Sequence, residues 1–324
     1  MRQISTSTSR LSRVGPAKKW AEARRGADPL YQFMKPLKPL RQASYVDMQT
    51  KNLSTTILMW CDESNNLMWP GESSFSEWIG GEEGATWVSA ANTIEALDVS
   101  VLSSGTDSFY GHDIEVGIEA SLVHVGNSSF RGSFQLYRLN DDGSAGALAA
   151  RVTSIGVCVE RGTLRPLPLP NREELLQHCV PEPEPRAAVP QQHSQRPADA
   201  YVWATAVRQT ECDDLGHLNN TRYAMYAEDA LGAAVYHGAF TPDITALAEQ
   251  PLSSLHISYI HEVKPYEPLF LAVWYDQDQH SFVIEMRAGE GGADADGGTL
   301  ASVVVLGVAA VGDGRAAAGA TPRL

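Results

Sequence analysis

Cysteine is scarce in this chain. Cys61, Cys158, Cys179 and Cys212 form no CxxC pair, and no histidine cluster stands at zinc spacing beside them. That argues against a disulfide scaffold and against a structural zinc site, and reduced thiols suit an intracellular protein. Long hydrophobic runs are missing too: nothing approaches the roughly 18 to 20 uninterrupted apolar residues of a membrane-spanning helix. No GxGxxG follows a strand, and there is no P-loop or metal-ligand cluster, so no cofactor and no metal are expected. What remains is 43% hydrophobic and 20% charged, the balance of a globular protein. Its 324 residues allow for about two domains.

Acids are nearly absent from one end. Residues 1–44 hold ten Lys and Arg against only Glu22 and Asp28, which leaves a net charge of −22 on the rest of a chain whose total is −14. So acidic a body repels phosphate backbones and excludes nucleic acid as the main partner. The basic segment, with its STSTSRLSRVG run, has the composition of a mitochondrial or plastid transit peptide, which predicts an organellar location. A basic tail without a targeting role, in a cytoplasmic protein, has the same composition. No apolar core of 7–15 residues follows the first basic residue, as a secretory signal requires.

Proline marks the main boundary. Residues 161–200 contain eight of the 18 prolines, and proline fixes φ and removes a backbone donor, so this stretch reads as a linker with one helical turn at NREELLQH. It separates a first domain, 45–160, from a second, 201–312, with a disordered tail expected over 313–324. The second domain opens with the strand YVWATAVRQ, followed by the polar loop TECDDLGHLNN. A helix is predicted over TRYAMYAEDALGAAVYHG, where Tyr223, Tyr226, Ala227, Ala230 and Val235 recur at helical spacing and Gly238 is a stop. Four strand-like runs follow: SSLHISYIHEV, PLFLAVWYD, SFVIEMRAG and LASVVVLGVAAV. The first domain repeats this order: a strand at LSTTILMW, a helical region through FSEWIGGEEGATWVSAA, then strands at EALDVSVLSS, HDIEVGIEASLVHVG, SSFRGSFQLYRL and GALAARVTSIGVCVE. Superposing Cys61-Asp62 on Cys212-Asp213 brings Leu67 onto Leu218 and Glu77 onto Glu228. One long helix against several consecutive strands predicts an α+β fold, a helix packed on an antiparallel sheet in each half.

The segment ECDDLGHLNNTRYAMYAEDA resembles the signature of 4-hydroxybenzoyl-CoA thioesterase-like and acyl-ACP thioesterase hot-dog proteins. Asp213, Gly216, His217, Asn219, Asn220, Tyr223 and Glu228 fall in register with it. The run LHISYIHEV resembles the acyl-ACP thioesterase segment that carries a catalytic Glu near its end, which puts Glu262 at that position. The later strands of the first half are also similar to those of a hot-dog domain. The resemblance implies two tandem hot-dog domains, each a long central helix wrapped by an antiparallel sheet, and hydrolysis of an acyl-CoA or acyl-ACP thioester. Leu215 stands where plant-type acyl-ACP thioesterases have Asn, and Val263 where they often have Cys.

Thioester hydrolysis needs a base or nucleophile, an oxyanion donor and an acyl pocket. Glu262 is the expected base or nucleophile, Asp213 the orienter or alternative nucleophile, and His217 a partner to water or carboxylate. A helix start leaves backbone N–H groups without internal partners, so the segment Asn219, Asn220, Thr221 and Tyr223 is the candidate for binding substrate and oxyanion. Each residue taken alone has a plainer reading: Asp213 and Asp214 as turn formers, Asn219 and Asn220 as caps, Glu262 as a solvated acid at a strand end, Glu228 as a solvated or pairing helix acid. Their joint register favours a site. The corresponding first-half loop, WCDESNNLMWPGESS, lacks the Gly-His pair and has Pro70 and Gly71 at its helix entry. That half reads as a degenerate repeat, with Trp69, Phe75, Trp78 and Trp87 as pocket walls or core.

Two alternatives stay open. A hot-dog hydratase or dehydratase would place its His five residues after the Asp with an intervening Asn-Pro, whereas His217 is four after Asp213. A non-catalytic acyl-binding double hot-dog would bind without turnover. Pairing of the halves edge to edge would make an internal pseudo-dimer, and a further homodimer of it is compatible with the sequence.

Overall fold

Runs rich in β-branched and aromatic residues dominate the chain, and they form a single antiparallel sheet. The computed structural model describes residues 34–36, 57–58, 61, 84–95, 98, 116–140, 144–170, 172–177, 179–180, 195–213, 215–290 and 298–308. The first-half strands are β1 Met34–Pro36, β2 Ala85–Glu95, β3 Val116–Val125, β4 Ser129–Leu139 and β5 Ala145–Glu160. Helix α1 spans Arg172–Gln177. The second half follows with β6 Tyr201–Ala206, α2 Arg222–Tyr236, α3 Pro242–Ala248, β7 Leu252–Tyr259, β8 Pro268–Asp276, β9 Ser281–Ala288 and β10 Thr299–Val308.

The strand order is β1-β3-β4-β5-β2-β7-β10-β9-β8-β6. Read outward from its middle, the first half runs β2, β5, β4, β3, β1 and the second β7, β10, β9, β8, β6. Each strand thus has a counterpart of equal rank in the other half. The halves meet where β2 pairs with β7, Ala91 to Ile94 lying opposite Ser258 to Leu255.

Side-chain alternation sorts the sheet into two faces. Leu269, Leu271 and Val273 of β8, with Phe282, Ile284 and Met286 of β9, pack against α2. That helix offers the small residues Ala224, Ala227, Ala230 and Ala234, all buried, so its axis can lie close to the sheet. Ile94, Ile118, Phe134, Leu136 and Val152 extend the same core into the first half. Helix α2 ends as its glycine requires: Gly238 has φ +68°, its N–H donates to the Val235 carbonyl, and that of Ala239 to Ala234, the paired bonds of a Schellman motif.

The second-half strands, α2 and the turn at NREELLQH follow the sequence expectation. The first half departs from it in four places. Ile57, Leu58 and Cys61 are helical and buried, so LSTTILMW is not a strand there. The match of Cys61 to Cys212 fails with it, while Asp62, Leu67, Pro70, Gly71 and Glu77 lie outside the described residues. ATWVSAA, expected in a helix, belongs to β2, whose Thr86, Trp87, Val88, Thr93 and Ile94 suit an extended chain. Of EALDVSVLSS, Glu95 closes β2 and Asp98 lies outside any strand. The outermost strand, β1, lies within the basic segment 1–44 and pairs with Gly117–Glu119 of β3. Helix α3 was not expected from sequence; Pro242 at its start and Thr241 at its N-cap are the signals for it. The proline-rich stretch also packs rather than merely linking: Leu169 and Leu175 join Leu122, Phe130 and Cys158 in a second cluster.

Candidate active site

The loop between β6 and α2 is folded by its own polar groups. Asp213 and His217 close it, the Asp213 N–H donating to the His217 carbonyl at 2.9 Å and the Gly216 N–H to the Asp213 carbonyl at 3.1 Å. Gly216 sits at φ +80°, where a side chain would be strained. Asp213 Oδ1 accepts the N–H groups of Leu215 at 3.0 Å and His217 at 3.3 Å. The loop is tied to its neighbours by Leu218 N–H donating to the Val263 carbonyl and Asn219 N–H to the Glu211 carbonyl.

The Leu218–Val263 bond brings the segment after β7 alongside, and with it Glu262. That residue lies beyond the end of β7 at Tyr259 rather than on the strand. His217 Nε2 and Glu262 Oε2 are 2.5 Å apart, their side chains 24% and 26% exposed. An acid and a base thus share a short contact while both remain open to solvent and to a ligand.

The start of α2 stands beside this pair. Thr221 is buried, and both its N–H and its hydroxyl donate to Asn219 Oδ1, at 3.0 and 2.6 Å. Thr221 is therefore not an available oxyanion donor: the Asn219 side chain already occupies its N–H. The Arg222 N–H donates to the Asn219 carbonyl. The Asn220 N–H has no partner among the described residues and is the donor left for a ligand. The Asn220 side chain reaches the first half, Nδ2 donating to Ser89 Oγ at 2.7 Å. Its carbonyl accepts from the Tyr259 hydroxyl at 2.9 Å, and that hydroxyl accepts from Asn92 Nδ2 at 2.9 Å. The Tyr223 ring meets Tyr259 edge-on at 5.1 Å. Burial, reinforced by the Glu262 and Asp213 carboxylates, holds the Tyr223 hydroxyl well above its ordinary value, so it stays protonated and can donate.

These groups line one cleft of about 960 Å³, walled on one side by Ala85 to Ser89 of β2 and the turn Arg161–Leu164, and on the other by Asp213, His217, Asn219, Asn220, Tyr223, Tyr259 and Glu262. Trp87, left open between wall and core, lines the cleft and also packs against the second core cluster; Trp69, Phe75, Trp78 and Asp214 lie outside the described residues. Glu228 is buried in α2 rather than solvated, and it does not line the cleft. Sequence reasoning missed Ser89, Asn92 and Tyr259. The first two belong to a stretch read as helix or left unassigned. Tyr259 stands three residues before Glu262 on a strand already recognised.

An imidazole–carboxylate pair and a backbone donor in one cleft suit attack by water on an acyl group. Residues 207–320 match the family model of the thioesterase-like superfamily. Two solved structures share the fold across both halves. An acyl-ACP thioesterase from Bacteroides thetaiotaomicron is 14% identical and superposes with a TM-score of 0.56 over 85% of this chain and 96% of its own. The 12:0-ACP thioesterase from Umbellularia californica is 16% identical, with a TM-score of 0.58 over 85% and 96%. No curated protein matches the chain in sequence. The fold is the hot-dog fold that these thioesterases share, and the match to the thioesterase-like superfamily lies in the second half.

Proposed function

We propose that this chain is an acyl thioesterase, which hydrolyses a fatty-acyl thioester of CoA or acyl carrier protein to a free acid and a thiol. The observation that carries this reading is the 2.5 Å contact of His217 with Glu262, set in the same cleft as the Asn220 N–H, which has no partner among the described residues. The match of residues 207–320 to the thioesterase-like model supports it.

In this mechanism Glu262 takes a proton from water as the water oxygen bonds to the thioester carbon. His217 holds the carboxylate in place through Nε2 and shares the proton. The Asn220 N–H receives the developing oxyanion, a contribution on the order of 3 kcal/mol. Collapse breaks the C–S bond, and the thiolate recovers the proton from the Glu262–His217 pair. Asp213 acts as orienter, since its Oδ1 shapes the loop that presents His217.

The mirrored strand order supports two tandem hot-dog domains of α+β type, the first beginning ahead of residue 45 with β1 at Met34–Pro36 and the second over 201–312, with catalysis in the second. Arg161 and Lys264 line the same cleft and offer positive charge to the phosphate of either carrier's pantetheine arm. The basic composition of the residues ahead of β1 favours delivery to an organelle.

A panel of acyl-CoA and acyl-ACP substrates of varied chain length, with thiol release followed by a chromogenic reagent, tests the proposal. Turnover by the wild type that falls by about 100-fold or more in Glu262→Ala, without loss of fold, is the expected result. Absence of turnover on every substrate, with acyl binding retained, would replace this reading with a binding module.

A further inference from the structure

The first half lacks the Gly-His loop, yet its side chains reach the reaction centre of the second. Ser89 and Asn92 both come from β2, and both act on one residue, Asn220. Ser89 Oγ holds the carboxamide at 2.7 Å. Asn92, only 4% exposed, donates to the Tyr259 hydroxyl, which donates in turn to the Asn220 carbonyl. A third restraint acts on the preceding peptide, whose carbonyl, that of Asn219, accepts the Arg222 N–H at 2.9 Å. In a trans peptide the C=O and the N–H point in opposite directions. A carbonyl drawn into the first turn of α2 therefore aims the Asn220 N–H out of the helix end.

We infer that Ser89, Asn92 and Tyr259 are positioning residues for the oxyanion-binding N–H of Asn220, so that the first half is a working part of the active site. The inference rests on the thioesterase reading and extends it to Ser89 and Asn92, which lie outside the matched residues 207–320. The physical reason is preorganisation. A backbone donor lowers the barrier only if it already stands where the charge will develop, and a misplacement of about 1 Å can cost on the order of 100-fold in rate. The bonds of Leu218, Asn219 and Thr221 hold the start of α2 from within its own half, and Asn220 is also restrained from the other side. The β2 side chains supply that restraint from across the seam, Ser89 directly and Asn92 through the Tyr259 hydroxyl of β7.

The test compares Tyr259→Phe, Ser89→Ala and the double variant with wild type, using the best acyl thioester. Tyr259→Phe keeps the ring that meets Tyr223 and removes only the hydroxyl. Each single variant is expected to lose about tenfold or more in kcat with KM changed less than about twofold, since the donor is felt mainly in the transition state. The double variant should lose less than the product of the singles, because both act through Asn220. Ser89→Thr, which keeps a hydroxyl, should restore most of the rate. Thr93→Val, on the opposite face of β2, breaks a bond to His256 at the same seam and should leave kcat unchanged. Losses in KM alone, multiplicative losses in the double variant, or an equal loss in Thr93→Val would show a merely structural role and overturn the inference. A wild type inert on every thioester would overturn the functional reading, and this inference with it.

Discussion

Replacing Glu262 by Gln keeps a hydrogen-bonding partner for His217 Nε2 and removes the carboxylate's basicity. Hydrolysis should fall by about 100-fold or more while the melting temperature holds. A variant that keeps its rate would show that another group takes the proton. Asp213 separates chemistry from architecture in a different way. Its Oδ1 accepts two loop N–H groups, and Asn offers the same acceptor, whereas Ala strands both donors. Asp213→Asn should therefore stay within about tenfold of wild type, and Asp213→Ala should lose both rate and about 1–3 kcal/mol of stability. Paired assays and thermal melts check this. Were Asp213→Asn as inactive as Glu262→Gln, Asp213 would belong to the reacting groups.

Among the elements, β5 and β4 show how a missing side chain shapes the cleft wall. A Cβ on Gly156 would stand 2.2 Å from Cζ of Phe130, whose ring meets Trp87 at 5.8 Å. Gly156→Ala must displace the ring and should cost about 1–3 kcal/mol by overpacking, read as a lowered melting temperature. The elements of the second half were legible because β8 and β9 keep strand composition between turn signals, and α2 ends on a glycine that its cap requires. The first half was harder to read for physical reasons. Strand β2 mixes Ala and Ser with its β-branched residues and carries an irregularity between Ser89 and Ala91, which breaks the period-2 signal. Strand β1 spans three residues and owes its place to pairing with β3, which no local pattern announces. The site followed the same division. Asp213, His217 and Glu262 stand in a recognisable run, whereas Ser89 and Asn92 belong to the site only through the pairing of β2 with β7. Thr221 was misread because its N–H is claimed by the Asn219 side chain, a contact that spacing alone does not reveal.

For the molecule as a whole, the seam carries a titratable group. His256 on β7 bonds Thr93 of β2 through Nδ1 and Ser258 through Nε2, and burial lowers its affinity for a proton below the ordinary 6.5. The unfolded chain therefore protonates first. Above pH 6.5 the neutral ring's contribution is complete, and it is lost as the pH falls from there toward the folded-state value. Melting temperatures across that window should decline in wild type and decline less in His256→Gln. Parallel curves would assign the acid sensitivity to other groups. The seam also fixes how the protein responds to dilution. Both walls of the cleft belong to one polypeptide, joined through residues 161–200, so their encounter is unimolecular and no dissociation equilibrium can dismantle the site. Specific activity should stay constant from micromolar to picomolar protein, where an enzyme that borrowed β2 from a second chain would fade.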